Sequence, residues 1–172
     1  MRGQTADLTT ARDLARLGQL MAQGGAREGR QIIPAAWIED ILSNGDAAAW
    51  DGGDFAALFP GTAMHYRDKW YVTREARPLL FGIGVNGQHL FVDRARQIVI
   101  AKFASQALPM DGERLMLTLR GVAAIRAWLR ANLPMLVEGR ELSDAEIIRE
   151  FIEPARMFVE RGGGSFGRTA SP

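Results

Sequence analysis

The chain has no cysteine among its 172 residues, which excludes disulfides, thiolate nucleophiles and cysteine-ligated metals. Histidine occurs twice, tyrosine twice, and lysine stands only at 69 and 102. Two histidines without cysteine are a poor basis for a tetrahedral zinc site, so neither a metal nor another cofactor is proposed. An excess of charge of one sign is also lacking: the net charge is +1, which offers no field for nucleic acid or an anionic membrane. No apolar run reaches membrane-spanning length, and the first residues lack the apolar core of a signal peptide. The chain as given is therefore expected to be soluble and cytoplasmic. Phosphate-binding loops and internal repeats are absent as well.

What is present is enough for one folded domain, with 47% hydrophobic residues. The spacing predicts a helix starting after Thr9 or Thr10, with Asp13 three residues past Thr10 completing a capping box and Gly24-Gly25 ending it. Leu14, Leu17, Leu20 and Met21 recur at three and four, so they are expected on one face, with Leu14 and Leu17 as core anchors. Pro34 suits the first turn of a second helix, whose buried side is read as Trp37, Ile38 and Ile41. Residues 44–63, rich in Gly, Asp and Ala, read as a long surface loop, with Trp50 packing beneath it. Strands are expected at 65–73, 79–85, 89–93 and 97–104, the last apolar enough for a sheet centre. A further helix at 112–132, ended by Pro134, should cover one sheet face. Residues 143–161 read as a helical extension, and Gly162-Gly163-Gly164 as the start of a disordered tail.

The string from Thr9 to Ile41, TTARDLARLGQLMAQGGAREGRQIIPAAWIEDI, is followed by Tyr66-Arg67-Asp68-Lys69-Trp70, then Gly82-Ile83-Gly84-Val85-Asn86-Gly87-Gln88, then Val92-Asp93 and Ile98-Val99-Ile100. These pieces, in this order, resemble the C-terminal portion of the serine β-lactamase and penicillin-binding-protein superfamily, in its esterase and 6-aminohexanoate-dimer hydrolase branch. The resemblance covers roughly residues 5–129. It implies an α+β fold, part of the β-lactamase/transpeptidase-like architecture, with an antiparallel sheet packed against N- and C-terminal helices. The expected division is 1–133 as the C-terminal part of that domain, 134–161 as a helical extension and 162–172 as tail.

Such enzymes attack with a serine activated by a lysine three residues on. That motif does not occur here: three places beyond Ser43, Ser105, Ser143 and Ser165 stand Asp46, Leu108, Glu146 and Arg168, and Ser171 is too near the end. The family's Tyr-x-Asn or Tyr-x-Ser motif has no match upstream of the first helix, and both tyrosines fall in later strands. By resemblance, the 82–88 turn follows the third-motif edge strand, whose backbone supplies half of the oxyanion hole. Val85 N–H is then the oxyanion donor, and Gly84 and Asn86 line the substrate. Asn86-Gly87 reads equally as a tight hairpin turn, and both roles are compatible. Lys-Thr-Gly is missing, so penicillin recognition is not expected. His65 and His89 are read as sheet residues. The resulting expectation is a segment of a serine hydrolase acting on small-molecule amides or esters only when completed by its missing lobe, and inactive alone. The alternative is a non-catalytic remnant, a binding module or self-associating homo-oligomer.

Overall fold

The computed structural model describes residues 10–137. The expected extension and tail beyond 137 lie outside them. Contacts divide the chain into two units, Met1–Thr118 and Leu119–Pro172. In the first, α1 (Ala11–Ala22) leads into a two-stranded hairpin of β1 (Ala26–Arg27) and β2 (Arg30–Gln31), then α2 (Ala35–Ser43) and α3 (Ala47–Asp51). Five strands follow: β3 (Met64–Arg67), β4 (Trp70–Thr73), β5 (Leu79–Ile83), β6 (His89–Asp93) and β7 (Ile98–Lys102). They pair antiparallel in chain order, β3-β4-β5-β6-β7. Helix and antiparallel sheet are thus combined as an α+β fold. Helix α4 (Gly112–Val137) begins in the first unit and continues in the second.

Helix α1 starts where its capping box places it. Thr10 Oγ1 accepts from Asp13 N–H, and the Asp13 carboxylate accepts in return from Thr10 N–H. The Thr10 hydroxyl, which also donates to the Asp13 carboxylate, then Thr10 N–H and Arg16, hold that carboxyl below its usual range. The buried stripe differs from the leucine spacing. It runs through Leu14, Gly18, Met21 and Ala22, while Leu17 is exposed. The reason is that Gly18 faces the sheet at a distance no side chain fits: a Cβ there would lie 2.4 Å from Val99 Cγ1 and 2.9 Å from Leu90 Cδ1. Helix α2 buries Ile38 and Ile41 completely, but Trp37 stays partly exposed. The helices cover one sheet face, built from Val72, Leu80, Leu90 and Val92 with Val99 and Ala101 at its margin.

Two expectations about the strands change, and two about the loop and the last helix. Residues 65–73 are not one strand but the β3–β4 hairpin, turned by Asp68 (φ 48°) and Lys69 (φ 69°). Both have positive φ, the pattern of a mirror-image two-residue turn, made here without glycine and so without its usual signal. Strand β7 is half-buried at the end of the five-stranded order rather than at its centre. The span 44–63 is structured: α3 is capped by Asp46, whose carboxylate accepts from Ala49 N–H, and a short 3₁₀ helix follows at Asp54–Leu58. Helix α4 also runs through Pro134 to Val137 rather than ending at the proline. Among the described residues, no helix is long and apolar enough to cross a membrane.

Candidate functional site

Two features stand out on the sheet of the first unit: the loop joining β5 to β6, and a cleft walled by aromatic rings. The loop is held by its own backbone and by the segment after β7. Gly84 N–H donates to Gln88 O at 2.7 Å, and Gln88 N–H returns to Val85 O at 3.3 Å. Asn86 sits at φ 57° and Gly87 at φ 81°, left-handed conformations that asparagine and glycine tolerate best. Asn86 is anchored three times, since its N–H donates to Pro109 O, its O accepts from Gln106 N–H, and its Nδ2 donates to Gln106 O at 2.8 Å. Lys102 Nζ donates to Gly87 O at 3.0 Å. The turn is therefore pinned from the strand ends and from 106–109 alike.

Between the committed amides of Gly84 and Asn86, Val85 N–H has no acceptor among the described residues, and the Val85 side chain is 60% exposed. Gly84 packs closely: a Cβ there would come within 3.0 Å of Gln88 O, so a side chain would spread the turn. Strand β5 is not the edge strand expected for this motif but the middle of five. Its pairing with β4, however, covers only Leu80 and Phe81, so among the described residues Gly82 and Ile83 have a free edge on that side. The local environment is that of an edge although the strand is internal.

His89 opens β6 opposite Ile83 and Lys102, buried, with its Nδ1 lacking any hydrogen-bond partner. Burial, helped by the neighbouring Lys102 ammonium, lowers its pKa to about 4, so the ring is neutral at ordinary pH. His65 is also buried in the sheet, with Nε2 2.8 Å from Ile41 O. Of the described serines, Ser43 and Ser105, neither hydrogen-bonds a lysine or histidine among the described residues. No activated hydroxyl is assembled there.

The sheet face opposite α1 carries an aromatic ladder that the sequence reading did not single out. Across the strands, Tyr66, Tyr71, Phe81 and Phe91 stand side by side at centroid distances of 4.7, 5.4 and 5.7 Å. Trp50 meets Tyr71 edge-on at 5.7 Å, and Phe59 lies 5.9 Å from Phe81. Trp50 and Phe59 are thereby buried, which explains why 44–63 is ordered. Beside them opens a cleft of ≈ 450 Å³ whose lining includes Asp46, Trp50, Asp54, Phe55, Tyr66 and Tyr71. Burial, then the nearby Tyr66, raises the Tyr71 pKa. The signal in the sequence was the alternation Tyr66, Tyr71, Phe81, Phe91, visible only once the β3–β4 turn is placed correctly.

The 6-aminohexanoate-dimer hydrolase of Paenarthrobacter ureafaciens is 36% identical to this chain over 96 residues, 56% of the chain and 24% of that enzyme. That likeness over 96 residues supports a kinship with the β-lactamase-like serine hydrolases. It spans about a quarter of the length of the curated relative it matches. A solved structure from Bacillus anthracis, assigned provisionally as a 6-aminohexanoate-dimer hydrolase, superposes with a TM-score of 0.49 at 26% identity, covering 78% of this chain and 30% of that one. No family model matches.

Proposed function

We propose that these residues supply the sheet portion and one oxyanion-hole donor of a β-lactamase-related serine hydrolase that cleaves amide or ester bonds. The relative's name, 6-aminohexanoate-dimer hydrolase, points to an amide of that kind. The observation that carries the reading is Val85 N–H, uncommitted on an exposed residue between two amides that are both bonded. A turn held from both sides keeps that donor fixed, which is what an oxyanion site requires, because stabilisation comes from dipoles that need not reorganise as charge develops. Gly84 gives the carbonyl room to approach, and Asn86, held by its Nδ2, leaves Oδ1 as its substrate-facing atom. In the intact reaction a serine Oγ, deprotonated by its lysine, attacks the carbonyl carbon, the C=O pair moves to the oxygen held by Val85 N–H, and collapse expels the amine or alcohol. Water then releases the acid. The nucleophile and base lie outside these 172 residues, so the chain by itself does not turn over.

Incubating the purified chain with p-nitrophenyl butyrate, nitrocefin and a fluorophosphonate probe tests this directly. No turnover and no adduct are expected. Stoichiometric labelling of one serine, abolished by its change to alanine, would overturn the reading, because a different nucleophile would then be operating.

A further inference from the structure

We propose that the aromatic cleft beside α3 binds an alkylammonium ion. This site stands independently of the hydrolase reading, since none of its residues belongs to the β5–β6 loop. Its walls are the rings of Trp50, Phe55, Tyr66 and Tyr71, and its polar groups include the carboxylates of Asp46 and Asp54. No lysine or arginine lines it, and neither carboxylate has an ion-pair partner among the described residues. Asp46 spends one oxygen, Oδ1, on the α3 cap, leaving Oδ2 for a ligand.

These groups select among ligand classes. An anion would meet two carboxylates and the negative faces of four rings. A neutral apolar molecule would strip water from the carboxylates without replacing it, which costs free energy. An alkylammonium satisfies both parts: its methylenes lie on the rings, and its head is drawn to the ring faces and to the acids. The ≈ 450 Å³ volume is of the size that encloses a small molecule. Phe55 and Tyr66 are 42% and 47% exposed at the rim, so the ligand can enter without rearrangement.

Calorimetric titration of the full chain at pH 7 with n-hexylammonium, 1-hexanol and hexanoate decides the matter. Hexylammonium should bind about tenfold tighter than hexanol, with hexanoate weakest, the margin expected of a partly desolvated cation on aromatic faces. Changing Asp46→Ser, which keeps a good cap residue, together with Asp54→Asn should bring hexylammonium to within about twofold of hexanol and leave hexanol unaffected. Should that pair of changes lower the melting temperature, Asp54→Asn alone, on an exposed residue, must still reduce the preference. Phe55→Ala should weaken both ligands. Equal binding of hexylammonium and hexanol, a preference that survives the loss of both acids, or no heat from any ligand at about 50 mM would overturn the proposal.

Discussion

Gly18 is where helix α1 touches the sheet, and it shows how one residue sets an approach distance. Alanine is the better helix former by about 1 kcal/mol, so propensity alone favours Gly18→Ala. Sterics oppose it: the new methyl would overlap Val99 Cγ1, on a stiff β-branched side chain, and Leu90 Cδ1. Overpacking of this kind costs about 1–3 kcal/mol, so the net effect should be a loss of about 1 kcal/mol, read from urea unfolding. His89 makes the second residue-level prediction. Its folded pKa, about 4, lies below the ordinary histidine value of 6.5. Below pH 6.5 the unfolded chain takes up a proton that the folded chain refuses, so stability is full above about pH 7 and falls as the pH drops toward 4. From pH 7 to pH 5 the loss should be about 2 kcal/mol, and His89→Phe should flatten that part of the profile. A profile unchanged in the variant would mean that other groups govern this range.

At the scale of elements, the sequence was most legible where a local device specifies structure. Thr10 and Asp13 place the start of α1, Pro34 precedes α2, and the run from Leu79 to Asp93 reads as two strands about a Gly-rich turn. It was least legible where a turn lacks glycine or where order comes from distant packing. Asp68 and Lys69 turn the chain without the usual marker, and the tiny β1–β2 hairpin turns at Glu28 (φ 50°) and Gly29 (φ 75°). The 44–63 segment looked like loop because its helices are short and its order depends on Trp50 and Phe59 reaching aromatic rings far along the chain. Of the candidate site, the Gly84–Gln88 turn was readable from its residues, whereas its anchoring by 106–109 was not, because no local pattern encodes a contact twenty residues away. That anchoring is testable through Asn86. Asn86→Gly keeps the left-handed backbone but loses the bond to Gln106 O, and should cost about 1 kcal/mol. Asn86→Ala loses the bond and strains the backbone as well, and should cost about 2–3 kcal/mol. Equal costs in denaturant titration would mean that the turn relaxes away from φ 57°.

For the whole molecule, the proposed function turns on what would have to be added to make a hydrolase. The relative it matches is about four times the length of the shared region, and the serine, its lysine and the tyrosine motif are not in this sequence. Co-expression with an upstream segment of a related hydrolase, one bearing Ser-x-x-Lys and Tyr-x-Asn, should yield a complex that hydrolyses p-nitrophenyl butyrate. The role assigned to Val85 can then be isolated by Val85→Pro, which removes the N–H and little else. Val85 is the first residue of a 3₁₀ turn, where proline fits, and the preceding Gly84 is extended at ψ 164°, the conformation a following proline prefers. The complex should still assemble and label with fluorophosphonate more slowly, while kcat falls about 100- to 1000-fold, the usual consequence of losing one oxyanion donor. Val85→Ala, which keeps the N–H and removes only exposed side chain, should retain most of the activity. If proline and alanine variants behave alike, the oxyanion is held elsewhere and the 82–88 turn serves the sheet rather than the reaction.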